Sequence, residues 1–241
     1  MHKSLKYICV AAIALYFTIP ECIAQSGTYY TVRDFEAWSS VGLKFKIDKK
    51  WSLSFEEQLR LRDDASNVDI YFSELGLNYK LDKHFGFGLA GRFIRDNDDQ
   101  GKIQGYENHF RWNADVLYKH KINRFDLKYR VRYQSKDELG VANTVNDPRT
   151  NTVRFKFGAD YNFKDWKFDP EFSSEIFKKT ESDEGFNKFR LTLGTTYETK
   201  KIGDFGVFYR MEKELTGLYP KTTNIAGLKY RYTIKRKKND K

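Results

Sequence analysis

The sequence predicts an all-β fold: an antiparallel transmembrane β-barrel of about twelve strands, with ten as the alternative. Three observations lead there. The chain is both heavily charged, at 32%, and heavily aromatic, at 17%. Its apolar and polar residues alternate with a period of two over most of its length. The connections between alternating runs switch regularly between short and long, as tight inner turns and longer external loops do in such barrels. The aromatic load excludes a disordered chain, since those are poor in aromatics. A mean hydropathy of −0.71 excludes a bundle of membrane-spanning helices. A strand with one polar and one apolar face reconciles the two compositions residue by residue.

Residues 1–24 read as a secretory signal peptide. Lys3 and Lys6 supply the positive start, and residues 7–19 form an uncharged, mostly apolar run. Pro20 ends that run, and Cys22 and Ala24 put small residues before a cleavage point at Gln25. The apolar run is shorter than the roughly 20 residues a spanning helix needs. Cys9 and Cys22 both fall in this segment. The remaining chain therefore offers no disulfide, thiolate metal site or cysteine nucleophile. The expected plan is signal peptide 1–24, barrel 25–234 and basic tail 235–241.

Strands follow in order. Val41, Leu43, Phe45 and Ile47 alternate with Gly42, Lys44 and Lys46. Phe125, Leu127, Tyr129, Val131 and Tyr133 alternate with Asp126, Lys128, Arg130, Arg132 and Gln134. The same pattern runs through Val153 to Phe163, Phe189 to Tyr197 and Ala226 to Tyr232. Two places break it. Glu57 stands in phase with Trp51, Leu53, Phe55 and Leu59, which calls for a bulge at Glu56-Glu57 to turn it inward. The run 68–81 changes phase near Phe72-Ser73, which calls for another. Eleven strands can be placed between residues 35 and 234. A closed antiparallel barrel of one chain wants an even number, so residues 29–33 are assigned a short first strand.

Aromatics bracket the short turns. Phe45, Tyr79, Tyr118, Tyr161 and Tyr197 precede them, and Trp51, Phe85, Phe125, Trp166 and Phe205 follow. Such a ring is expected where amphipathic side chains sit at a membrane–water boundary.

The segments Trp38 to Ile47, Trp51-Ser-Leu-Ser-Phe-Glu-Glu-Gln-Leu-Arg60, Tyr106-Glu-Asn-His-Phe-Arg111, Arg130-Val-Arg-Tyr133, Glu175-Ile-Phe177 and Phe189-Arg-Leu-Thr-Leu-Gly194 occur in this order. With the signal peptide, they resemble an uncharacterised domain-of-unknown-function family of predicted bacterial outer-membrane β-barrel proteins. The resemblance implies a fold and a location, the bacterial outer membrane, and no reaction. Gly227-Leu-Lys-Tyr230-Arg-Tyr232 also looks like the final strand signature read by outer-membrane assembly machinery, although Ile225 stands where a polar residue is usual.

If the apolar set faces lipid, the other set lines the lumen. The lumen candidates are Glu107, His109, Arg111, Arg130, Arg132, Arg154, Glu171, Glu175 and Arg190. Arg154 is expected to pair with Glu171 or Glu175, and those with Arg190. His109 shares its face with Glu107, a pairing suited to acid–base work. In membrane-barrel lipases and deacylases a Ser follows the His by two residues, and that position here is Arg111. No catalytic residue, metal site or cofactor is assigned. His84 and His120 are placed in turns without metal-ligand spacing.

The expected partners are outer-membrane lipids and the assembly machinery. The net charge of +10 is not read as nucleic-acid binding, because the chain is exported. The expected function is a narrow pore for small, anionic solutes, formed by a monomer and not an enzyme. The alternatives are a closed structural or surface-interaction barrel and a membrane lipid hydrolase.

Overall fold

The computed structural model describes residues 32–98, 104–140, 149–164, 166–181, 185–199 and 201–236. The signal peptide and residues 29–31 of the expected first strand lie outside them. The strands are β1 (Val32–Lys46), β2 (Trp51–Arg62), β3 (Asn67–Lys80), β4 (Phe85–Asp98), β5 (Gly105–Ile122), β6 (Phe125–Glu138), β7 (Thr150–Tyr161), β8 (Phe168–Lys179), β9 (Lys188–Tyr197), β10 (Asp204–Glu214) and β11 (Lys221–Lys235). They close into one barrel in chain order. No helix occurs among the described residues.

The strand count is eleven, not twelve. Parity demands an even number only when every pair is antiparallel. Here β1 pairs antiparallel with β2 and parallel with β11, from Val32 against Lys221 to Lys46 against Lys235. That parallel seam satisfies both edges of β1, so no further strand is needed. Val32 and Arg33, expected in a separate strand, are the first residues of β1.

The alternation is realised with its polarity reversed relative to a soluble core. Val41, Leu43, Phe55, Leu75, Leu89, Val116, Phe155, Leu193, Val207 and Leu228 point outward and are exposed. Glu36, Gln58, Arg92, His109, Asn113, Arg154, Glu175 and Glu212 point inward and are buried. Monomeric soluble proteins seldom expose contiguous apolar patches beyond a few hundred Å².

The two sequence irregularities resolve differently from expectation. The β2–β3 ladder is regular through Glu57, which faces Val41 and Ser73 and stays on the outer face. The irregularity lies at Arg60/Leu61, where Asp69 is the extra residue between Val68 and Ile70. It puts Tyr71, Leu75 and Leu77 outward and Phe72 inward, where Phe72 is fully buried. The phase change in the sequence thus reports a bulge three residues earlier plus one aromatic aimed at the lumen.

The short turns repeat a device. Asp48 accepts backbone N–H groups from Lys50 and Trp51, both at 2.7 Å. Asp82 accepts them from His84 at 2.6 Å and Phe85 at 2.7 Å. Both are aspartate turns in which the carboxylate takes the place of a backbone acceptor. The bond from Trp51, then that from Lys50, holds the Asp48 carboxyl below its ordinary value of 3.8. Phe85 and His84 do the same for Asp82. His120, expected in a turn, belongs to β5, and its ring stacks on Tyr129.

The aromatics that follow each short turn pack against an aromatic near the end of the next strand. The pairs are Trp51–Tyr79 at 4.5 Å, Phe85–Tyr118 at 4.9 Å, Phe125–Tyr161 at 4.7 Å, Phe168–Tyr197 at 5.2 Å and Phe205–Tyr230 at 4.8 Å. Phe168 takes the place expected for Trp166, because β8 starts two residues later than that turn. Together these pairs form a girdle at one end of the barrel.

Candidate functional site

The candidate site is the lumen, and its polar side chains arrive there by strand parity. Glu175 on β8 is its densest point. Its carboxylate accepts from Arg130 at 2.7 Å, Arg154 at 2.9 Å and Arg190 at 3.3 Å, and it is 3% exposed. Arg190 continues to Glu212 at 2.5 Å. Across the barrel, Glu74 takes Arg92 at 2.7 Å and Arg111 at 3.2 Å, and Asp115 holds Arg132 through two bonds of 2.6 and 2.7 Å. A charge leaves water at acceptable cost only when paired and hydrogen-bonded in this way.

Four inward aromatics, Trp38, Phe72, Phe177 and Phe208, interleave with these arginines, the last under Arg210 at 4.7 Å. The Arg60 guanidinium lies 3.7 Å from the Trp38 ring centroid and 5.3 Å from that of Phe72. Arg92 covers Phe72 at 3.4 Å. Arg154 and Arg190 cover Phe177 at 4.5 and 4.9 Å, and Arg210 and Arg190 reach Trp38 at 4.8 and 5.9 Å. The contacts link β1 and β2 to β9 and β10 and, through Arg190 and Phe177, to β7 and β8. They make a septum of stacked guanidinium and aromatic planes inside the barrel. Cation–π contacts contribute about 0.5–1 kcal/mol each at exposed sites and about 2 kcal/mol or more when desolvated.

A cavity of about 810 Å³ runs beside the septum. Its lining includes Lys80, Asp82 and Lys119 at the short-turn end and Asn187 and Lys188 at the long-loop end. Fifteen Lys and Arg side chains line it against five Asp and Glu, so its potential is positive and favours anions.

Seven of the nine sequence candidates line this cavity: Arg111, Arg130, Arg132, Arg154, Glu171, Glu175 and Arg190. Glu107 and His109 do not. His109 Nε2 is 3.3 Å from Glu107 and 3.9 Å from Asp96, near the long-loop end. Glu175 is the acid that pairs with Arg154 and Arg190. Glu171 instead accepts from Lys229 at 2.9 Å and from Thr196.

The sequence reading missed Trp38, Phe72, Phe177 and Asp115. Asp115 was open to parity, since it occupies an inward phase of its strand. Trp38, Phe72 and Phe177 were not, because an aromatic in the polar phase resembles a register error.

A family model described as a protein of unknown function (DUF2490) matches residues 35–216. The chain belongs to the DUF2490 family. The match covers β2 to β10 whole and most of β1, and so includes Glu175 and its three arginines. No curated protein and no solved structure matches the chain. Membership in DUF2490 gives the lumen relatives without assigning it a reaction.

Proposed function

We propose that this DUF2490 protein is an outer-membrane barrel that forms a narrow, cation-lined passage for small anionic solutes. The observation that carries this reading is the cavity, which has lining residues at both ends of the barrel and three basic groups for every acidic one. The membrane setting is supported by the exposed apolar belt, by the aromatic girdle at the short-turn end and by residues 1–24, which read as an export signal. In this setting the short turns face the periplasm and the longer connections face outward.

The septum favours one second reading, a closed barrel braced by its ion pairs. An eight-stranded barrel is filled by side chains and a sixteen-stranded one leaves a water channel. Eleven strands lie between. The test is planar-bilayer recording on the refolded chain from residue 25 onward. Steady unitary currents with a reversal potential shifted toward the anion equilibrium potential are expected under a salt gradient. Electrical silence from correctly folded barrels would replace the passage with the closed form.

A further inference from the structure

The lumen wall carries more cations than its carboxylates neutralise, and two of the surplus guanidinium groups lie against one indole. Glu175 is occupied by three arginines, Glu74 by two, Asp115 by Arg132 and Glu171 by Lys229. Arg60 on β2, Lys156 on β7 and Arg210 on β10 have no carboxylate within 4.0 Å among the described residues. All three line the cavity together with Trp38. Lys156 stands opposite Glu175 in the β7–β8 register, yet that acceptor is taken by Arg130, Arg154 and Arg190.

Arg60 and Arg210 are held in the same manner. Arg60 Nε donates to Gln58 Oε1 at 2.9 Å, and Arg210 Nε donates to Thr192 Oγ1 at 3.0 Å. Their guanidinium carbons lie 3.7 and 4.8 Å from the centroid of the same Trp38 ring, so they are no more than 8.5 Å apart. One N–H and two aromatic rings hold each group, Trp38 and Phe72 for Arg60 and Trp38 and Phe208 for Arg210. The terminal nitrogen pair of each, the two-pronged edge that grips an oxyanion, has no protein acceptor among the described residues. Glu212 attracts both guanidinium groups from beyond contact distance, so neither has a counter-charge in direct contact, and a bound anion supplies one.

We propose that Arg60, Arg210 and Lys156 form a binding site for a small polyvalent oxyanion, a phosphate ester or a polycarboxylate. The site rests on the reading of the lumen as an anion route and adds a stopping point within it. The chemistry selects the class: planar guanidinium edges match phosphate and carboxylate oxygens two at a time, which a spherical halide cannot exploit. Three positive groups favour a ligand with at least two negative charges. The cavity, about 810 Å³, falls within the range of roughly 300–1,000 Å³ typical of small-molecule sites.

The test uses the full barrel refolded in detergent, with Trp38 emission followed during titration by pyrophosphate and by citrate at constant ionic strength, against chloride. Trp38→Phe isolates the part of the signal that belongs to Trp38. A saturable response is expected from pyrophosphate, citrate or both, with at least tenfold weaker binding in Arg60→Gln and in Arg210→Gln. If those variants do not fold, Lys156→Gln and equilibrium dialysis of the unaltered barrel with radiolabelled pyrophosphate replace them, with one ligand per barrel expected. A response no steeper than that of chloride, an unchanged midpoint in the folded variants, or no retained pyrophosphate would overturn the site. Chloride current that pyrophosphate and citrate fail to block would also overturn it while keeping the passage. Binding in a barrel that carries no current supports the site and removes the passage.

Discussion

At Glu175 a single carboxylate, 3% exposed, is the acceptor for three guanidinium groups. Removing it leaves the buried Arg154 and the partly buried Arg130 and Arg190 each short of a partner, and breaking a buried pair costs about 3–5 kcal/mol. We expect Glu175→Gln to lose that much in urea unfolding, whereas Glu171→Gln, with a more exposed side chain, should lose about 1 kcal/mol or less. Equal losses would mean that the network is not centred on Glu175. The turn aspartates act at a different pH. Folding depresses the carboxyls of Asp48 and Asp82 below their ordinary 3.8, so they add stability that is present above that value and lost as pH falls below it. Unfolding midpoints of the Asp48→Ala, Asp82→Ala double variant should therefore differ from the parent at pH 6 and converge with it toward pH 2. Glu57 makes the opposite case, an outward carboxylate with one buried oxygen lacking a partner. Glu57→Leu is expected to refold at least as well as the parent. The sequence marked both Glu175 and Glu57 by phase alone. It did not reveal that Arg154 prefers Glu175 over Glu171, because that choice depends on the register of β7 against β8, which parity does not set.

At the scale of the strand, the face assignment was legible wherever polar and apolar residues alternated without interruption, as in β6, β7 and β9. It failed where a bulge was needed. The extra residue at Asp69 left no mark beyond a slipped phase, and Phe72 disguised its position. The strand count failed for a topological reason, since nothing local in β1 or β11 announces a parallel seam. That seam is open to a direct check. Ser39 and Leu228 are partners across it, and no native cysteine follows Cys22. Ser39→Cys with Leu228→Cys should form an intramolecular cross-link on mild oxidation of the folded barrel, and Ser39→Cys with Tyr232→Cys should not. No cross-link in either pair, the outcome of a strand inserted between β1 and β11, would contradict the seam. Face assignment is also open to a paired substitution on β7. Arg at an outward midplane position costs about 2–4 kcal/mol in a bilayer, so Phe157→Arg should depress refolding yield into vesicles well below that of Arg154→Phe, which leaves Glu175 with Arg130 and Arg190.

Over the whole molecule, one inversion organises the rest: apolar side chains outside, paired and unpaired charge within. It reconciles a mean hydropathy of −0.71 with a surface that displays Phe, Leu and Val over most of its strands. It also explains how a chain with a net charge of +10 concentrates cations in one cavity. The measurement that tests this most directly is a cysteine scan of residues 153–158 on β7, each position carrying a fluorophore in barrels refolded into vesicles. Emission is read with a quencher attached to lipid chains and with a water-soluble one. Labels at 153, 155 and 157 should be quenched from the lipid, and labels at 154, 156 and 158 from water or not at all. Quenching from water at all six positions, or no alternation between the two sets, would contradict a membrane-spanning barrel with a polar lumen.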